Sequence, residues 1–232
     1  MADSATMPPE AKARMKRATP TKVGTKTVNL ALQGGGAHGA FAWGVLDRLL
    51  EDDRIAMEGI SATSAGAMNA VTMAYGMTVG GREGARAALT NFWRRVAHAG
   101  MISPLQPTWF ERASHNHALE SSPAFVMFDL ISRLYSPYQF NPLNYNPLRQ
   151  VLEQSVDFEK LRRDSALKLF LSATNVRSGK VKVFGNDEIS ADAVMASACL
   201  PFMFQAVTID GEDYWDGGYM GNPTLYPLIH AT

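Results

Sequence analysis

The chain has one cysteine in 232 residues, Cys199, so no disulfide can form within it, and that usage fits a reducing compartment. It has no excess of either charge. Its 22 Lys and Arg balance 22 Asp and Glu, which removes the basic footprint of a nucleic-acid partner. Uninterrupted apolar runs fall well short of the ~18 residues that cross a bilayer, so no transmembrane helix is expected. Repeats and low-complexity tracts are missing too. What is present is an apolar fraction of 46%, enough to bury the core of one fair-sized domain.

The domain is expected over 27–232. Residues 1–26 stand apart, with Lys12, Arg14, Lys16, Arg17, Lys22 and Lys26 against only Asp3 and Glu10. Lacking the apolar stretch of a secretory signal, this segment reads as a basic disordered tail, or as a weak tether to anionic lipid. These features together suggest a cytoplasmic protein able to make peripheral contact with a membrane surface.

The organising stretch runs from Val28 to Ala70. Alternating Val28, Leu30 and Leu32 predict a buried strand. Gly34, Gly35 and Gly36 follow, then Ala37, His38 and Gly39, and the apolar residues Phe41, Val45, Leu46, Leu49 and Leu50 recur at helical spacing. The pattern then repeats: Gly59–Thr63 as a strand, and Ser64-Ala65-Gly66 opening a helix. Two strand-to-helix turns therefore face one end of one sheet, where α/β folds place their sites. The second helix is expected to end at Gly76, with a loop at Gly80-Gly81 and a further helix over Arg82–Ala97. Residues 100–147 read as an insertion over the site, carrying a helix from Ala124 to Tyr135. Asn146-Pro147 starts another helix. Strands follow at Leu167–Ala173, Val181–Phe184 and Ala206–Ile209, with a helix capped by Ser190 and running to Cys199 between the last two.

Three features carry chemistry. Ser64, flanked by Ala62 and Gly66, suits either a nucleophile on a sharp strand-to-helix turn or an ordinary helix cap. Gly34, Gly36 and Gly39 match the G-x-G-x-x-G dinucleotide fingerprint, with Asp53 or Glu58 about 20 residues on. The same loop also suits backbone N–H groups aimed at an oxyanion. A dinucleotide unit has no use for a serine elbow after its second strand, whereas acyl transfer needs both features at one sheet edge. Asp216, before Gly217 and Gly218, is the better candidate base, or else a turn aspartate. None of His38, His98, His115, His117 and His230 lies in a stretch resembling a triad loop. His115 and His117, two apart, do not face each other on a helix, and no metal site is expected. Cys199 has no basic neighbour in sequence to lower its pKa, so it reads as a buried apolar residue.

The segments Gln33–Phe41, Ala62–Gly66, Ala196–Pro201 and Asp216-Gly217-Gly218 together resemble the patatin-like phospholipase family, over about residues 28–226. The resemblance implies a three-layer α/β/α fold with a mainly parallel central sheet. It implies a lipid acyl hydrolase using a Ser–Asp dyad without histidine, calcium or cofactor. By position, Ser64 matches the nucleophile and Asp216 the base. Gly34, Gly35, Gly36 and Ala37 match the oxyanion loop. Ala62 stands where the family usually has glycine, and His38 where it often has Arg or Lys. Family domains commonly continue past the aspartate motif, so an edge beyond Thr232 is expected. The substrate is then a lipid or other acyl ester. The alternatives are a nucleotide-binding module using the glycine loop and a catalytically weak lipid-binding relative. Oligomeric state is not legible here.

Overall fold

The computed structural model describes residues 24–101, 127, 130–132 and 134–231. Most of the basic tail, most of the 124–135 helix, and His115 and His117 lie outside the described residues.

Strand β1 (Lys26–Leu32) leads through the glycine loop into α1 (Gly39–Leu50), and β2 (Ile55–Ala62) leads through Ser64 into α2 (Ala65–Met101). A single helical turn at Pro137–Phe140, then α3 (Pro147–Glu153) and α4 (Phe158–Asp164), precede β3 (Lys168–Asn175) and β4 (Val181–Phe184). Next come α5 (Ala191–Ser197), β5 (Val207–Ile209), β6 (Glu212–Asp216) and α6 (Tyr226–Ala231). Ser190 and Asn146 cap their helices as expected, accepting from Ala193 N–H and Leu148 N–H.

The sheet order is β1-β2-β3-β6-β5, with β4 also on β3. Its centre is parallel, with Leu32 opposite Ala62 and Ala62 opposite Leu171. Strands β4, β5 and β6 run antiparallel, and Ala173 pairs with Asp216. Parallel strands are covered on both faces and so read as nearly continuous apolar or small residues. Accordingly Gly59–Ala62 is buried throughout. Ile60, Leu169 and Leu171 pack with Leu46 and Leu50 of α1 and with Met73, Leu89 and Phe92 of α2, all fully buried.

The second helix does not stop at Gly76. The break comes at Gly80 and Gly81, the latter at φ +61°. A Cβ at Gly76 would stand 2.5 Å from the Gly84 carbonyl oxygen, and one at Gly84 would stand 2.4 Å from that of Gly76. The glycine at 76 thus allows two helical segments to touch backbone to backbone across the break. It marks packing, not an end. Arg86 then ties this second segment to α1 through Asp47 and Glu51.

The close approach of β1 to the start of α2 yields a test. A Cβ at Gly66 would sit 2.2 Å from the Leu32 carbonyl oxygen, while nothing lies within 4 Å of one at Gly44 in α1. Gly66→Ala is expected to destabilise the fold by roughly 1–3 kcal/mol or more. Gly44→Ala should stabilise it by roughly 0.5–1 kcal/mol. Urea unfolding followed by far-UV circular dichroism checks both signs.

Candidate active site

Ser64 links β2 to α2 with φ at +55°, a strained left-handed backbone for a residue with a side chain. Its surroundings hold it there. Thr63 N–H donates to Leu32 C=O at 3.1 Å and Gly66 N–H to Thr63 C=O at 2.9 Å. Ser64 N–H donates to Ser197 Oγ at 2.9 Å, and Ser197 Oγ donates onward to Ser172 C=O at 2.7 Å. Residue 62 is alanine and fully buried between β1 and β3, so the extra methyl joins the core. Ser64 C=O accepts the Met68 N–H at 3.2 Å as the helix begins.

The glycine loop lies against this elbow. A Cβ at Gly34 would be 2.7 Å from Ser64 Cβ, and one at Gly39 would be 2.9 Å from Ala65 Cβ. Gly36 sits at φ +54° and opens a short helical turn, Gly36–His38, whose N-cap is Gly35. Gly34 is engaged differently from its neighbours, since its N–H donates to Asn222 Oδ1 at 2.6 Å. Among the described residues, no acceptor is found for the N–H groups of Gly35, Gly36 and Ala37. His38 turns its Nδ1 to Gly35 C=O at 3.1 Å and so braces the loop.

Asp216 ends β6 and is 5% exposed. Its N–H donates to Cys199 C=O at 2.8 Å, and Thr174 Oγ1 donates to its carbonyl at 2.9 Å. Gly217 is required beside it, because a Cβ there would meet Ser172 C=O at 2.1 Å. The carboxylate accepts the Gly218 N–H at 2.7 Å. Burial raises its pKa above the ordinary value, while the Gly218 N–H and the neighbouring Ser64 hydroxyl pull it back. Residues 152 positions apart in sequence (216 − 64) are thus neighbours. Burial, reinforced by the Asp216 charge, pushes the Cys199 thiol up to about 12. Its Sγ contacts Gln205 C=O at 3.1 Å, as befits an inert packed thiol.

The glycine loop, Ser64 and Asp216 open onto one cavity of about 710 Å³, within the usual range for small-molecule sites. Gly34–Ala37, Ser64 and Asp216 form its polar end, and Met68, Phe92, Trp93, Leu148, Met203 and Phe204 its apolar wall. Trp93 Nε1 donates to Asn69 Oδ1 at 2.8 Å, and Asn69 Nδ2 to Gly39 C=O at 2.9 Å. This buried chain fixes the wall to the start of α1.

The dinucleotide fingerprint does not survive the topology. Its acidic partner belongs at the end of β2 next to the loop. Asp53 instead precedes β2, a strand of 8 residues and about 26 Å, and it faces Arg82 at 3.8 Å. Glu58 lies mid-strand, paired with Lys168 at 2.8 Å. Among the described residues, no cluster of three or more His, Cys, Asp or Glu could hold a metal, and no helix is long and apolar enough to cross a membrane. Trp93 carries the sequence signal of the apolar helix face it shares with Leu89, Phe92 and Val96, whereas Asn222 has no pattern of its own. Only for Ser197, inside Ala196–Pro201, did a motif give a hint.

A family model described as patatin-like phospholipase matches residues 30–229, and the chain belongs to that family. The chain is similar to the crystal structure of VipD from Legionella pneumophila, at 19% identity and a TM-score of 0.46. That match covers 82% of this chain and 45% of the other, so this chain spans less than half of that structure's length. No curated protein matches.

The environment of Asp216 predicts a stability profile. Its folded pKa exceeds the ordinary 3.8, so the charged carboxylate opposes folding. Asp216→Asn is therefore expected to raise the thermal midpoint at neutral pH. The gain shrinks as pH falls through the folded pKa and vanishes below the unfolded one, where both states are protonated. Scanning calorimetry from acid to neutral pH measures it, and a midpoint lowered at neutral pH would contradict the assignment.

Proposed function

We propose that the chain is a serine lipid acyl hydrolase in which Ser64 is the nucleophile and Asp216 the general base. The observation that carries this reading is the strained Ser64 elbow, sharing one largely apolar cavity with a buried carboxylate and the glycine loop. The acyl chain lies along the Met68, Phe92 and Trp93 wall, with the ester carbonyl between Ser64 Oγ and the loop. As the new C–O bond forms, the hydroxyl proton passes to Asp216. Burial of the carboxylate favours this transfer by making it a stronger base. The oxyanion is stabilised by backbone N–H groups of Gly35, Gly36 and Ala37. Gly34, whose N–H is engaged by Asn222, supports the loop. Collapse of the tetrahedral species expels the alcohol, which takes the proton from Asp216. Water, deprotonated in turn by Asp216, then cleaves the acyl-Ser64 ester and restores both groups. No step calls for a metal or cofactor. Peripheral contact with a lipid surface would bring the cavity to its substrate.

Turnover of a p-nitrophenyl acyl ester tests the roles. A fluorophosphonate should label Ser64, read by peptide mapping, and Ser64→Ala should be inactive. Asp216→Asn should lose about 10²–10⁴-fold. His98→Ala and His230→Ala should retain most activity. The acid limb of kcat/KM should lie above the ordinary carboxylate value of 3.8, with activity lost as pH falls through it. A dead histidine variant beside an active Asp216→Asn would replace the dyad with a triad. Labelled but non-turning-over protein would point to the weak lipid-binding relative.

A further inference from the structure

We infer that Asn222 is the positioning residue of the glycine loop: its side-chain carbonyl anchors the Gly34 amide and thereby aims the three following amides at the reacting carbonyl. The inference rests on the reading of Ser64 as nucleophile. Its basis is a strap formed by residues 217–224. Gly221 N–H donates to Gly217 C=O at 2.9 Å, which folds the chain back one turn beyond Asp216. Two hydroxyls at the end of β2, those of Ser61 and Thr63, then hold the strap. Thr63 Oγ1 donates to Gly221 C=O at 3.0 Å, and Ser61 Oγ donates to Thr224 C=O. Asn222 lies between these two clamps. From there its Oδ1 accepts the Gly34 N–H at 2.6 Å.

Only a glycine fits between the two partners, since a Cβ at position 34 would face Ser64 Cβ at 2.7 Å and Asn222 Oδ1 at 3.4 Å. Three consecutive glycines leave the loop with no side chains to define its backbone, and such chains have the greatest conformational freedom to lose. The Asn222 carbonyl supplies the missing definition. It fixes the Gln33–Gly34 peptide plane, from which Gly35, Gly36 and Ala37 follow. Because the strap follows directly on Asp216, it links the base to the oxyanion donors beside Ser64.

The test compares wild type with Asn222→Ala, Asn222→Asp, Thr63→Val and Ser64→Ala in two measurements on the full chain. The first is kcat and KM for a p-nitrophenyl acyl ester, scaled to the fluorophosphonate-titratable serine. The second is amide hydrogen exchange of the Gly34–Ala37 peptide. Deleting an oxyanion donor outright typically costs ~10²–10³ in kcat, so a misaimed loop in Asn222→Ala should cost about 10- to 100-fold per titrated serine. KM should stay within about threefold, and loop exchange should rise about tenfold or more with exchange elsewhere unchanged. Asn222→Asp keeps an acceptor at the same place and should keep the loop protected. Thr63→Val, which loosens the strap while leaving Asn222 in place, should move both readings less and in the same direction. This second variant decides the matter if Asn222→Ala does not fold. Wild-type kcat per titrated serine with unchanged loop exchange would overturn the inference, as would exchange rising throughout the protein. If Ser64→Ala stays active, the hydrolase reading fails instead, and loop exchange alone decides the role of Asn222.

Discussion

A serine held in a left-handed backbone conformation between β2 and α2 is the constraint around which the surrounding residues are arranged. Strain of this kind persists only where the surroundings over-determine it. Here the determination comes from close backbone approaches. Gly66 lets the first turn of α2 pass beside the end of β1, Gly34 lets the loop lie against Ser64, and Gly39 lets α1 start beside α2. Ser197 then takes the Ser64 amide. A larger side chain at any of these glycine positions would have to move the β1 end, the elbow or Trp93. The small residues read as motif are therefore packing requirements of a single turn.

Burial shapes the second group. Asp216 sits at the junction of β6 with β3, under Cys199 and Thr174, and its backbone is satisfied on both sides. Its carboxylate accepts the Gly218 amide and shares one cavity with Ser64. Desolvation without a strong counter-charge makes a carboxylate a better proton acceptor. The same burial makes the adjacent Cys199 less reactive, because a thiolate there would meet both low dielectric and the Asp216 charge. One environment thus raises the usefulness of one group and removes its neighbour from the chemistry.

Much of this was legible in the sequence where the signal was local. The strand at Val28, Leu30 and Leu32 and the caps at Asn146 and Ser190 each depend on a few adjacent residues, and each appears in the structure near its expected place, although β1 lies at the sheet edge and buries only Leu32 of the three. Gly76 shows the limit. A glycine that ends a helix and a glycine that admits another helix look alike in one dimension, and only Gly84 opposite it separates them. The G-x-G-x-x-G spacing was ambiguous for a related reason. What excludes a dinucleotide there is which end of β2 bears the acidic residue, a question of strand direction.

By itself, then, the sequence determined the alternation of strands and helices, the two glycine- and serine-bearing turns, and the family. These follow from residue types at short spacing, where backbone preference and side-chain size act directly. Only the tertiary structure decided that Asp216 and Ser64 line one cavity and that an apolar wall from α2, α3 and the segment after α5 closes around it. It alone decided, too, that Gly34 is held by Asn222, 188 positions away. Such contacts depend on how the parallel strands stack in register, and no local spacing encodes the distance between residues that the sheet brings together.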